Sequence, residues 1–226
     1  LNLIALRQLK FDESILGEMA KKSCPQILQI FVENKKRTDS SDQLDVNLYK
    51  AKKLFDKKFD SERELYCCSF SADTVVYKGL VMPSEFDSFY SDLSDTSHRT
   101  ASVMFHIRFS TNTSPKWHLA QPYRVIAHNG EINTISGNRN WAQARMNNLS
   151  SKRFGNMRKY QPLVNQSGSD SSSLDNMIEV LKEGGVNIGR AARMLIPPSW
   201  QNTDLMDSDE KAFHEYNSMH LSLIHI

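Results

Sequence analysis

Two short strings hold most of the chemistry this sequence can offer. The first, His106-Ile107-Arg108-Phe109-Ser110-Thr111-Asn112-Thr113, places donor-rich residues at the end of an apolar run. The second, Ala127-His128-Asn129-Gly130-Glu131-Ile132-Asn133-Thr134, does the same after the next apolar run. Arg108 presents a planar guanidinium fork that matches a carboxylate. Asn129 offers a side-chain amide N–H and Gly130 an unobstructed backbone N–H. Such a pair can stabilise the oxyanion of an acyl-transfer intermediate. Further on, Asp170 in Gly168-Ser169-Asp170-Ser171 offers a carboxylate to an ammonium group. Together these residues would read a zwitterionic amino acid at both of its charges and stabilise a tetrahedral intermediate at a third point. Singly, each has a plainer reading. An Asn-Gly pair is most often a turn, an Arg after a strand is usually a surface ion-pair residue, and Asp170 alone is most simply a helix N-cap. Their combination is what points to chemistry.

Other site types do not fit. No Gly-x-Gly-x-x-Gly occurs, and Gly184 and Gly189, at phosphate-loop spacing, are followed by Arg190-Ala191 rather than Lys and Ser or Thr. The seven histidines show no ligand spacing for zinc, so no metal site is expected and a metal hydrolase is a distant alternative.

The strings need platforms. Ala101, Val103, Phe105, Ile107 and Phe109 alternate with period two and predict a half-buried strand. Val125–Ala127 predicts a second strand ending at Asn129, because strand ends are rigid supports for binding loops. A hairpin is expected over Leu65–Phe70 and Thr74–Tyr77, and another strand over Ile27–Val32. Helices are expected over Phe11–Ala20 with Asp12 as cap, after Ser41 or Asp42 to Phe59, from Pro83, around Trp141–Met146, and from near Asp170 to Gly184. Lysines 50, 52, 53, 57 and 58 read as a solvated face of the second of these. Strands and helices mix without a βαβ rhythm, which favours an α+β fold.

On these residues the sequence resembles the glutaminase domain (class II, N-terminal nucleophile) of the glutamate synthase family. Arg108–Thr113, Trp117, Leu119-Ala120-Gln121-Pro122, His128–Thr134 and Gly137-Asn138-Arg139-Asn140-Trp141 stand in the family's order. Weaker similarity runs through Phe31-Val32, Val75–Gly79, Ser169–Ser171, Pro198–Asn202, Ala212-Phe213 and Glu215-Tyr216. The resemblance implies a four-layer αββα sandwich, incomplete here at its N-terminus, with residues 1–218 a partial amidotransferase domain and 219–226 a tail outside the pattern. It implies hydrolysis of glutamine, with Arg108 on the α-carboxylate, Asp170 on the α-amino group, and Asn129 and Gly130 as the oxyanion hole. The family's ammonia reacts with 2-oxoglutarate in a separate synthase domain that uses FMN, an iron–sulfur cluster and NADH, NADPH or ferredoxin. No cofactor is expected on this chain itself. The family's nucleophile is a cysteine at the mature N-terminus, with its own α-amine as base. Leu1 cannot serve, and Cys24, Cys67 and Cys68 are internal with unmatched flanks. The nucleophile is therefore expected upstream of these residues. A catalytically silent binding or scaffold fragment and the glutaminase domain of another class II amidotransferase are the alternatives.

Composition bounds the rest. The chain has 226 residues, with 28 basic and 26 acidic side chains for a net charge of +2, and no basic arm of a nucleic-acid binder. Three cysteines exclude a disulfide-dense secreted scaffold and a four-cysteine cluster from this chain alone. No signal peptide or membrane span is read, so a cytoplasmic or organellar (plastid or mitochondrial) setting is expected rather than secretion. Without a terminal cysteine, a polypeptide of these 226 residues is expected to release no ammonia from glutamine. A coupled ammonia assay on the purified chain checks this, and any turnover proportional to protein would overturn it.

Overall fold

The computed structural model describes residues 1–35, 40–59, 65–108, 114–132, 134–198 and 206–217. The chain divides into two compact units, Leu1–Leu48 with Ser61–Asn129, and Tyr49–Asp60 with Gly130–Ile226.

In the first unit, strand β1 (Asn2–Gln8) pairs antiparallel with β2 (Leu28–Glu33). The register runs from Asn2 opposite Glu33 to Gln8 opposite Leu28, with an irregularity between Leu3 and Ala5. Between them, Asp12 accepts from Ser14 N and caps a short 3₁₀ turn, after which Gly17 opens helix α1 (Glu18–Lys22). The expected helix over Phe11–Ala20 is thus broken at Leu16-Gly17 and shifted towards Lys22. Helix α2 (Ser41–Phe59) begins in this unit and continues into the second. Pro83 starts a 3₁₀ turn that leads into α3 (Phe86–Phe89).

An aromatic cluster is the core of this unit. Phe89 is fully buried, and its ring lies 4.8 Å from Phe11, 4.7 Å from Tyr90 and 5.8 Å from Trp117. Leu9 and Leu16 complete it. Offset and edge-on rings of this kind add to the burial of their large apolar surfaces. Gly79 is required here, since a Cβ at that position would stand 2.5 Å from the Trp117 ring.

The structure differs from the sequence expectation in its strands. Among the described residues the only sheet is the β1–β2 ribbon. Residues 65–77 fold back on themselves, but the turn is closed by side chains: Val76 N donates to Ser69 Oγ, and Asp73 N to Ser71 Oγ. Residues 101–108 keep the alternating pattern but have no strand partner. Val103, Phe105 and Ile107 are 75%, 76% and 68% exposed. Alternation marks a chain ready to be half-covered; a strand also needs a neighbour for its backbone groups. Residues 125–127 pair with no strand among the described residues either.

In the second unit, α4 (Ile135–Met146), α5 (Asp170–Glu183), α6 (Ile188–Leu195) and α7 (Ser208–Asn217) join the C-terminal part of α2. Helix α5 is buried through Leu174, Met177, Ile178 and Val180, and it packs on α6, which packs on α7. Its ends follow the sequence. Ser169 accepts from Ser172 N as N-cap, and the chain leaves through Gly184 and Gly185, the latter at φ 102°. Asn187 caps α6 by accepting from Gly189 N and Arg190 N, so the Gly184–Gly189 spacing serves two helix ends rather than a phosphate.

The lysine-rich face of α2 is not uniformly solvated. Lys52 is 1% exposed and Lys53 6%. The Lys52 ammonium donates to the Glu179 carboxylate on α5, and Lys53 Nζ to the Leu163 carbonyl at 3.3 Å. Lys52→Met removes one member of this buried ion pair and is expected to cost about 3–5 kcal/mol, measured by urea unfolding. Lys52→Met with Glu179→Leu should recover most of that loss. A double variant no more stable than the single one would show that the pair is not the source.

Candidate functional site

Arg108 and Asn129 lie in the first unit, Gly130 and Asp170 in the second. Phe109–Thr113, Asn133, 199–205 and 218–226 lie outside the described residues. That sets aside the rest of the Arg108 string, part of the Pro198–Asn202 similarity and the whole 219–226 tail.

In the first unit, Arg108 and Asn129 are exposed, and Arg108 N donates to His106 Nδ1 at 3.3 Å. The residue before Asn129 is held from both sides. His128 N donates to Gln121 Oε1 and Gln121 Nε2 donates to His128 O, each at 2.8 Å. One primary amide thus makes, at His128, the two hydrogen bonds that a neighbouring strand would make, and so fixes the residue just before Asn129. Lys78, 6% exposed, donates to the His118 carbonyl at 2.9 Å with its ammonium over the Tyr66 and Tyr123 rings.

In the second unit, Asp170 is the first residue of α5, not its cap; Ser169 takes the capping role. That leaves the carboxylate at the positive end of the helix, where a negative charge is favoured. Oδ1 accepts from Ser171 N at 2.6 Å, and Oδ2 from Ile132 N at 2.7 Å. Asp170 therefore fixes the backbone two residues beyond Gly130. Ser171 Oγ also donates to Oδ1, at 3.3 Å; a carboxylate has about four acceptor positions, so these three donors leave room for a fourth partner. The loop before α5 is itself tied. Asn165 Nδ2 donates to Ser172 Oγ at 2.7 Å, Ser173 Oγ donates to Asn165 Oδ1 at 2.8 Å, and Asn165 N donates to Asn176 Oδ1 at 3.0 Å. Gly168, at φ 103°, sits so close that a Cβ would come 2.8 Å from Asn165 Nδ2.

Arg139 of α4 reaches the same loop. It donates to Ser173 Oγ at 2.9 Å and to the carbonyls of Gln166, Gly168 and Ser169 at 3.3, 2.9 and 3.2 Å. Burial lowers its pKa from the ordinary value, while the charge of Asp170 acts to raise it. Helix α4 starts from Thr134 in the left-handed region, φ 54°. For a β-branched residue that conformation costs roughly 1–2 kcal/mol.

Sequence reasoning placed Gln121 and Arg139 within motifs and gave neither a role. The signal lay in residue type: a primary amide and a guanidinium, each carrying several donors or acceptors, beside the two strings that needed support.

The three cysteines are free and partly buried. Burial pushes the Cys24 thiol up to about 11, with Glu13 adding to the shift, and burial likewise raises Cys68. An acid whose pKa is raised stays protonated over more of the pH range, so Cys24 carries about a hundredfold less thiolate at neutral pH than a thiol at 9.0. Neither is a nucleophile in this state. Among the described residues no three His, Cys, Asp or Glu side chains gather as metal ligands, and no helix is long and apolar enough to cross a membrane. Iodoacetamide at pH 8 should therefore label Cys24 at least tenfold more slowly in the folded chain than in urea, read by peptide mass spectrometry. Equal rates would place an unperturbed thiol there.

Residues 1–223 match the family model of class-II glutamine amidotransferases. The chain is 41% identical over 224 residues to the glutamate synthase [NADPH] large chain of Bacillus subtilis, covering 96% of this chain and 14% of that protein. It is 38% identical over 223 residues to glutamate synthase [NADH] of Schizosaccharomyces pombe, covering 96% and 11%. It is 36% identical over 221 residues to the ferredoxin-dependent glutamate synthase of Cyanidium caldarium, covering 95% and 14%. The chain thus spans about an eighth of the length of these curated relatives.

Proposed function

Because the chain belongs to the class-II glutamine amidotransferases, we propose that it is the glutaminase part of a glutamate synthase, hydrolysing glutamine to glutamate and supplying the ammonia to 2-oxoglutarate. The observation that carries this is the match over residues 1–223, together with relatives at 36–41% identity that are all glutamate synthases. In this reading a thiolate attacks the carboxamide carbon of glutamine. Negative charge gathers on the carboxamide oxygen, where the Asn129 side-chain N–H and the Gly130 backbone N–H donate to it. The amide nitrogen leaves as ammonia, and water then cleaves the thioester to give glutamate. Arg108 takes the α-carboxylate and Asp170 the α-ammonium, so that the carboxamide is presented to the nucleophile in a fixed orientation. In this reading Arg108, Asn129, Gly130 and Asp170 bind and polarise glutamine and are not themselves the nucleophile.

The proposed architecture is the four-layer αββα sandwich. Its support is the apolar surface left open in the first unit: Leu3, Ile4 and Leu6 of β1, Leu28, Ile30 and Phe31 of β2, and Val103, Phe105 and Ile107 are each 48% exposed or more. Exposed large apolar side chains in such number on β1, β2 and the 101–108 segment call for a covering layer.

In the full-length protein, Asn129→Ala is expected to lower kcat by about 10²–10³-fold, the usual loss for one oxyanion donor, with KM little changed. Arg108→Lys should instead raise KM for glutamine, since a point charge cannot replace the bidentate fork. Steady-state glutaminase kinetics separate the two. An unchanged kcat in the first variant, or an unchanged KM in the second, would remove that residue from its role.

A further inference from the structure

The glutaminase reading uses Asp170 and says nothing of what holds it. The carboxylate stands on the first residue of α5, after a loop whose carbonyls at 166, 168 and 169 point at one group. Left alone, those carbonyls would make a poor neighbour for a carboxylate, because their partial negative charges gather where another negative charge must sit. A guanidinium solves this. Its planar fork carries five N–H donors, and here Arg139 spends them on three carbonyls and the Ser173 hydroxyl of the same turn.

We propose that Arg139 is a positioning residue for Asp170: by gathering the 166–169 carbonyls and Ser173 Oγ from α4, it sets the Asp170 carboxylate against Ile132 N and so determines selectivity for a ligand's α-ammonium. The inference rests on the glutaminase reading for the identity of that ligand, and on geometry alone for the positioning. Two features of the site support it. Asp170 Oδ2 is 2.7 Å from Ile132 N, so a shift of the α5 start would be felt directly in the segment that follows Gly130. The loop also cannot easily find a second conformation, since Gly168 is at φ 103° with Asn165 and Ser172 closing over it. Arg139 does not meet the ligand in this scheme; its N–H donors go to the carbonyls and Ser173 Oγ, and Asp170, with donors from Ser171 N, Ser171 Oγ and Ile132 N, keeps one of its about four acceptor positions for the substrate ammonium.

The test uses the 226-residue chain, with two readouts on Arg139→Ala and Arg139→Lys. The first is amide hydrogen exchange. Losing the clamp should accelerate exchange at Ile132 by about tenfold or more, as for loss of a hydrogen bond to a charged group, while the α5 core amide of Ile178 stays protected. The lysine variant should behave nearly as the alanine one, because one ammonium cannot span four acceptors in a plane. The second readout is calorimetric binding of L-glutamine against glutaramate, which keeps the carboxylate and carboxamide but lacks the α-amino group. The unmodified chain should prefer glutamine by about tenfold or more, and both variants should narrow that preference by at least about fivefold. Unchanged Ile132 exchange in a folded variant overturns the proposal, as does an undiminished preference once Ile132 exchange has accelerated. If the unmodified chain shows no preference, the ammonium role of Asp170 in the glutaminase reading fails, and Ile132 exchange alone decides whether Arg139 positions that carboxylate. Should Arg139→Ala not fold, the lysine variant, which keeps the charge, carries both measurements.

Discussion

An ammonium that is 1% exposed has to have a carboxylate, and in the second unit that requirement ties two helices together. Lys52 on α2 and Glu179 on α5 are both taken out of water, and each makes the other tolerable. The pair ties α2 to α5 at Glu179, and Leu174, Met177 and Ile178 are buried along α5. At the N-terminus of α5 local hydrogen bonds do the placing. Ser169 caps the helix, Asp170 is left free of that duty, and its carboxylate reaches back to Ile132 N. The candidate ammonium site is thus a property of a helix end whose helix is held in place from the side.

How much of this was legible in the sequence depends on the kind of interaction. The span of helix α5 was read almost to the residue, because its apolar period and its terminal glycines act within a few residues of one another, while its cap was placed one residue late, on Asp170 instead of Ser169. The span of α2 was equally plain, but its buried face was not. Lys52 and Lys53 look like any solvated lysines until Glu179 and the Leu163 carbonyl, more than 100 positions away, are brought to them. The strand expected over Ile27–Val32 formed as β2 (Leu28–Glu33), but those expected at 65–77, 101–108 and 125–127 did not, for a related reason. Alternation at 101–108 states which side chains could be covered, whereas a strand is a relation between two backbones. The Ser69 and Gln121 side chains stand in for such a partner at Val76 and His128. The candidate site residues could be named from the sequence because the chemistry they offer is local: a fork, an amide beside a glycine, a carboxylate at a helix start. Their supports were not, since Gln121 and Arg139 act on backbone groups that no residue pattern announces.

The two supports share a design. Each uses one side chain with several polar atoms to satisfy backbone groups that would otherwise need regular secondary structure. Gln121 closes both polar groups of His128. Arg139 gathers the carbonyls of a loop that has no ladder to join. Buried or half-buried backbone must find partners somewhere, and here the residues next to the candidate chemistry find them in side chains. That permits irregular backbone close to Asn129 and Asp170, where a strand or helix would have dictated the path.

The Arg139 clamp has a consequence for which changes the loop can absorb over time. Three of its four acceptors are main-chain carbonyls, which every residue type carries. The side chains at 166 and 167 can therefore drift without touching the clamp, as both are exposed. The sequence constraint is displaced onto a residue about 30 positions earlier in the chain and onto Gly168, whose φ of 103° other side chains rarely adopt. A loop of this kind is heritable as a shape more than as a string of letters.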